Sequence, residues 1–590
     1  ASMGREERLS DGRANAARGA WILAGLACLI AMAGAFLTIP AFFPTNDDAY
    51  AHQILSGGIS SSPTARIMFI NYGLCWIFSL LYTVVPAVPW WVVGHLVALF
   101  LSISLIGRTL LVKLRIRGVS CSVLLQLVSL AAADYGLFAV LIARLQFTTT
   151  ASLLVAAAII STCAWNTDER AVCGSVFTRT ILPAVMAVWG FAMRSQSGYL
   201  GMFFWLSAIA VMACAMKGSL KNRVIQLAPM IKPVAVAGVA ALALLAINAM
   251  EYSSPEWQGR RELASEFAAF TDYPRVSYDE DPDLYDSVGW DEDLLALASD
   301  WYFMDERISS EALRTINEGN TAGIDNLRSD YWGIIKSRAT DLRQPTSLAY
   351  LLVFVAMGVL ALRGAQGKAA KSLVCGAAFV AGVLMAYLLV KGRLPERAIW
   401  SITIPATAAL ASIALRGMAG NRRADARRSL AQRPVVIGLS VLFILPGLLA
   451  VRQYGWGSED YATRSKREEN IEAFHAYASE HEDTFYFYAA DTNLTSQYIW
   501  RLWWPDNVSS WGGWQFCYDW FESDMRDAGF DGVPMSEDFF RDNVCVVLRD
   551  NATKETFTNY MSDLFGPVDL ELVDTITSEI QVYRVVGKEA

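Results

Sequence analysis

The sequence predicts a polytopic α-helical membrane protein of about eleven spans with an exterior α/β or α+β domain at its C-terminal end. Three observations predict it. The chain of 590 residues is 54% hydrophobic and only 18% charged, and its mean hydropathy of +0.32 is too high for a chain that folds in water alone. Apolar runs recur at lengths suited to a bilayer. The charges are also segregated, with basic residues in short loops and acidic ones in two long segments, 251–346 and 453–590. A net charge of −8 arranged this way argues against nucleic acid as a partner and for the lipid bilayer.

The runs lie near 20–42, 89–111, 119–139, 147–164, 180–193, 199–216, 233–250, 347–362, 372–390, 398–415 and 434–451. The first is too long for the core of a signal peptide and reads as a retained span. The loops carrying Lys113, Arg115 and Arg117; Lys217, Lys221 and Arg223; Arg363, Lys368 and Lys371; and Arg416, Arg422, Arg423, Arg427, Arg428 and Arg433 are cytoplasmic by the positive-inside rule. An eleven-span count satisfies all of them. It places a multi-pass protein in the plasma membrane, with the N-terminus cytoplasmic and the C-terminal domain exterior. Residues 66–85 resemble a further span, but counting them would put the basic run LVKLRIRG outside. They are therefore read as an amphipathic helix at the outer interface, with Phe69, Tyr72, Trp76, Phe78 and Tyr82 at the boundary.

This gives a transmembrane module, 1–452, with exterior loops 44–88 and 251–346, and a globular domain, 453–590. In that domain helical patterns alternate with short apolar strands, TFYFYAA, VCVVLR and IQVYRVV. Most cysteines lie in or beside apolar segments, as packing residues. Cys517 and Cys545 share the C-terminal domain, where an oxidising compartment permits a disulfide.

The chemistry-bearing residues fall at the exterior ends of spans. Asp47 and Asp48 follow the first span directly; they are either a helix cap with a solvated first turn or a general base with a neighbour that binds a metal or raises its pKa. Arg194, between two short spans, is either a snorkelling side chain or a phosphate contact. Lys391, Arg393 and Arg397 occupy a short exterior loop against the charge rule, and such cations suit a lipid phosphate or pyrophosphate. His52, just after the acidic pair, joins the substrate-binding candidates. Of the tryptophans at 500, 503, 504, 511, 514 and 520, most are read as core, with Trp511-Gly512-Gly513-Trp514 the exception worth following.

In order and sidedness these pieces resemble the C-type (GT-C) glycosyltransferases, integral membrane enzymes that use polyprenyl-phosphate-linked sugars. The resemblance rests on Asp47 and Asp48 in the first exterior loop, Pro63-Thr64-Ala65-Arg66-Ile67-Met68-Phe69 entering an interfacial helix, Arg194-Ser195-Gln196 between mid-chain spans, and Arg393 or Arg397 before a span containing Pro405. It departs in lacking the twin proline usual at the interfacial helix. The resemblance implies an inverting transfer of sugar to an envelope glycan or lipid acceptor. Asp47 would be the base and Asp48 its partner or the ligand of a divalent cation, Mg or Mn; Arg194, Arg393 and Arg397 would hold phosphate. The alternatives are a transporter or flippase, for which Asp134 is the acidic residue well inside a span, and a glycan polymerase or ligase.

Overall fold

The computed structural model describes residues 2–116, 121–166, 169, 175–216, 219–326, 331–417, 426–492, 494–549 and 551–587; Arg117, Lys217, Arg422 and Arg423 lie outside the described residues. The first part of the chain forms α1 (Ser2–Thr38), α2 (Asn46–Ser56), α3 (Tyr72–Val84), α4 (Trp90–Ile116), α5 (Val123–Ala143) and α6 (Phe147–Cys163). A π-helical turn, Phe177–Ile181, leads into α7 (Leu182–Met193), followed by α8 (Ser195–Ala215) and α9 (Leu220–Glu251). The charged loop folds as α10 (Pro255–Asp272), α11 (Pro282–Asp286), α12 (Glu292–Ser299), α13 (Ser310–Asn326), α14 (Tyr331–Arg338) and α15 (Thr340–Arg343). Four more bundle helices follow, α16 (Pro345–Gly364), α17 (Lys368–Val390), α18 (Glu396–Gly417) and α19 (Ala426–Tyr454).

Each of the eleven apolar runs contains a helix, but the helices are not equal. Among the described residues eight helices are long and apolar enough to cross a membrane, while Phe147–Cys163 and Phe177–Met193 are shorter, and Gly438–Tyr454 qualifies only together with Glu459–Glu480, from which it bends by 45°. The helix expected over 66–85 starts later than the apolar run does. Asn71 accepts a hydrogen bond from the Gly73 N–H at 3.0 Å and caps α3. The 13 residues that follow are apolar but fall short of a span; at 1.5 Å per residue they reach about 20 Å against a hydrocarbon core of about 30 Å. The aromatic reading of this helix needs correction too. Trp76 is exposed, whereas Phe78 and Tyr82 are core residues, Phe78 edge-on to Trp91 and the Tyr82 hydroxyl accepting from the Trp91 N–H at 2.9 Å.

The bundle has two chemically distinct ends. At one, Lys113 at the end of α4 donates to the Ala164 carbonyl at 2.8 Å and pairs with Glu169, and Arg416 at the end of α18 donates to the Trp165 carbonyl at 3.2 Å. The opposite end carries α2, α3, the charged loop and the C-terminal domain.

That domain consists of α20 (Glu459–Glu480), α21 (Asp519–Asp527), α22 (Asn551–Phe565) and five strands: β1 (Phe485–Tyr488), β2 (Val508–Ser510), β3 (Val544–Leu548), β4 (Val568–Thr577) and β5 (Ile580–Gly587). The sheet order is β2-β1-β3-β5-β4, parallel from β2 to β3 and antiparallel from β3 to β4. Buried side chains on its two faces enter separate cores. On one face Phe485, Phe487 and Val546 join Phe267, Phe270, Trp290 and Phe303 of the charged loop, so loop and domain share a hydrophobic core. Cys517 belongs to this core and Cys545 to the one on the other face, and both are free thiols. The domain is pinned to the first exterior loop by the Phe43 N–H donating to the Gln497 carbonyl at 2.9 Å and by the Arg66–Asp519 ion pair at 2.7 Å.

Candidate active site

The geometry of α2 decides which of the two adjacent aspartates is available. Successive helix residues are rotated by about 100°, so Asp47 and Tyr50 share one face and Asp48 and His52 another. Thr45, not Asn46 or Asp47, is the N-cap, and both aspartates lie in the first turn. The face of Asp47 and Tyr50 lines a cavity of about 1310 Å³ between the spans, the charged loop and the C-terminal domain. The other face is inside the protein. Asp48 is fully buried, accepting from the Phe147 N–H at 2.9 Å with one oxygen and from the Thr45 hydroxyl at 3.3 Å with the other. It thus caps the N-terminus of α6 from outside that helix. Burial pushes its carboxyl well above the usual range, against the Phe147 hydrogen bond that lowers it. His52 is also buried, bonded through Nδ1 to the Tyr82 hydroxyl at 3.1 Å, and burial lowers its imidazole to about 4. Neither lines the cavity.

The expected cations are brought together, except one. Lys391 and Gly392 end α17, and Gly392 takes the left-handed conformation (φ 74°) that lets the Arg393 N–H return to the Leu388 carbonyl at 2.9 Å. The chain then turns through Pro395 into α18, so that Arg393 and Arg397 line the cavity while Lys391 stays exposed outside it. Arg397 donates to Asp47 Oδ2 at 2.7 Å, and Arg393 pairs with Asp272 at the end of α10. Burial raises Asp272 above its ordinary value even though Arg393 and Arg397 lower it. Arg194 stands alone in the break between α7 and α8, in extended conformation (φ −152°). Its guanidinium lies 5.3 Å from the Phe147 ring centroid, and its Nε has no hydrogen-bond partner. Asp47, Arg397, Arg393 and Asp48 all act on it electrostatically, which puts these groups in one neighbourhood.

A shared divalent cation does not fit this arrangement. The Asp48 oxygens are committed to Phe147 and Thr45, and Asp47 is committed to Arg397. Among the described residues no group of three His, Cys, Asp or Glu is placed to hold a metal ion.

Several cavity residues were not legible as site residues in the sequence. Trp301 in the charged loop has φ 61°, a left-handed backbone that for a bulky side chain costs about 1–3 kcal/mol. The Trp511–Trp514 turn accommodates it. A Cβ on Gly512 would lie 1.6 Å from the Trp301 carbonyl oxygen, and Gly513 has φ 99°. Trp511 is core, whereas Trp514 meets Trp301 edge-on at 5.6 Å, and both indoles line the cavity. Asp272 and Arg261 also line it, yet nothing in their local sequence distinguishes them. The cavity therefore combines six arginines, Arg194, Arg393 and Arg397 among them, with six carboxylates, Asp47 and Asp272 among them, and an aromatic wall.

The sequence matches no known protein family and no curated protein. Among solved structures the chain is similar to the crystal structure of ArnT from Cupriavidus metallidurans bound to undecaprenyl phosphate. That likeness covers 95% of this chain and 97% of the other, at 12% sequence identity and a TM-score of 0.39. At such values the likeness carries no argument and assigns no role to any residue.

Proposed function

We propose that the protein is a membrane glycosyltransferase of the GT-C kind, moving a sugar from a polyprenyl-phosphate donor to an envelope glycan or lipid acceptor at the end of the bundle that bears the C-terminal domain. The observation that carries the proposal is the Asp47–Arg397 pair on the wall of a large cavity that Arg393 and Arg194 also line. A sugar phosphate already has a good leaving group, so catalysis requires neutralising that phosphate and taking a proton from the acceptor. Arg194, with its unpartnered Nε, is the natural first contact for the donor phosphate. The phosphate then competes with Asp47 for Arg397. Once released, Asp47 takes the proton of an acceptor hydroxyl, whose oxygen attacks the anomeric carbon as the bond to the phosphate oxygen breaks. Polyprenyl phosphate leaves with that electron pair, and a single displacement inverts the anomeric centre.

The cavity also favours this reading over transport. The residues that the spans contribute to its lining, including Val140, Phe191, Leu245 and Trp400, come from the span ends beside the C-terminal domain. Asp134, buried within α5, is not among them. Transfer of labelled sugar from polyprenyl-phosphate donors to envelope extracts tests the proposal. Parent protein should transfer and Asp47→Asn should not; equal transfer by both would remove Asp47 from the reaction.

A further inference from the structure

The segment 498–504 reads YIWRLWW, and its turn sorts these side chains between two directions. The Arg501 N–H returns to the Tyr498 carbonyl at 3.3 Å. Ile499 is buried in the core of the helical bundle, Leu502 packs against that core, and Trp504 is buried in the C-terminal domain, its indole donating to the Val508 carbonyl at 3.3 Å. Arg501 is held by Glu472 at 3.1 Å and by His475 at 3.0 Å. Trp500 and Trp503 are left on the surface, 57% and 56% exposed. Neither lines the main cavity.

Contacts on both sides of the turn fix its level relative to the spans. On one side Tyr498 stacks on Phe42 at 4.8 Å and the Gln497 carbonyl accepts from the Phe43 N–H at 2.9 Å; both phenylalanines lie just past Thr38, where the α1 span ends. On the other side the Arg501 carbonyl accepts from the Gln53 side chain at 2.8 Å. His52, next to Gln53, bonds to Tyr82, whose hydroxyl accepts from the Trp91 N–H in the first turn of the α4 span. The turn therefore lies across the ends of two spans that pack against each other. The exposed apolar side of α1 reaches the same level. Leu37, in its last turn, is 77% exposed, and its carbonyl accepts at 3.2 Å from the indole of Trp456, a third exposed tryptophan.

We infer that Trp500 and Trp503 dock the C-terminal domain on the lipid headgroup layer beside α1 and α4, a bilayer contact made by the domain itself. An indole is a large apolar ring with one N–H at its rim, so it is best placed where the ring meets acyl chains and the N–H meets glycerol and phosphate oxygens. Two such rings turned to water would form an apolar patch without a partner. Docked, they hold the domain, which supplies Tyr488, Thr495 and Trp514 to the main cavity, at a set height over the span ends. Nothing in this contact depends on the transfer chemistry.

The test uses the full chain in phosphatidylcholine nanodiscs with photoactivatable diazirine lipids, one carrying the group near the headgroup and another at the acyl-chain end, and adducts mapped by peptide mass spectrometry. The headgroup probe should label Trp500 and Trp503, and the chain-end probe should not. The chain-end probe should label Leu29 and Ile30, exposed in the middle of α1. The double variant Trp500→Asp/Trp503→Asp should keep the parent's Tm in detergent, because both side chains are exposed, and should lose the headgroup adducts across residues 499–503. Labelled α1 with no headgroup adduct on 499–503 of the parent overturns the inference, as does unchanged labelling of the double variant. Protection of the two indoles from oxidation by added neutral trisaccharides, without lipid adducts, would also overturn it and give the surface to a glycan.

Discussion

The two ends of the helical bundle both bury charge, and they use it differently. At the basic end Lys113 is 3% exposed, and its ammonium is taken up by a backbone carbonyl and by Glu169. At the domain end Arg194, Arg393 and Arg397 face a cavity of about 1310 Å³, where Arg393 and Arg397 are held by carboxylates and the Arg194 Nε has no partner. A buried charge closed by its own protein specifies structure; one that faces open space is available to a ligand. The same contrast recurs within a single helical turn, between Asp48, sealed against α6, and Asp47, on the cavity wall.

Substitutions can sharpen or break this comparison. The largest effect belongs to Asp47→Asn, which keeps the side-chain shape but removes the base, so turnover should fall by roughly 10²- to 10⁴-fold with thermal stability retained. At the basic end, Lys113→Met should do the opposite. It leaves Glu169 without the ammonium and should cost about 3 kcal/mol in a denaturation measurement, while transfer per folded molecule stays at the parent level. Arg194→Ala should weaken undecaprenyl phosphate binding by on the order of 10- to 100-fold in a titration, and Lys391→Ala should leave it unchanged. The smallest effect is that of Asp48→Ala, where loss of the bond to the Phe147 N–H should cost about 1–2 kcal/mol of stability. A collapse of turnover in that variant at full folding would erase the distinction between the two aspartates.

Much of the fold was legible in the sequence because apolar runs in a membrane protein state their own secondary structure. The eleven helices of the apolar runs follow from them, and β1, β3 and β5 follow from the short apolar stretches of the C-terminal domain. The two missed strands gave weaker signals. β2 has only three residues, and β4 reads VDLELVDTIT, its acidic residues facing solvent where the strand lies at the sheet edge. The site was legible in part. Asp47, Arg194, Arg393 and Arg397 do converge, because span ends on one side of a bilayer are forced into one layer. Asp48 and His52 lie off the cavity wall because nearness along a helix is not nearness in space, and the 3.6-residue period separates residue 47 from residues 48 and 52. Trp301 and Asp272 carry no local signal, since their place on the cavity wall is set by packing between the charged loop and the C-terminal domain.

The most direct test of the central claim is a structure of the protein with undecaprenyl phosphate in a lipid nanodisc. The account predicts the phosphate within about 3 Å of the Arg194 guanidinium and of Arg393 or Arg397, with the Asp47–Arg397 pair opened. Phosphate bound away from these arginines, with Asp47 still joined to Arg397 and Asp272 to Arg393, would contradict it.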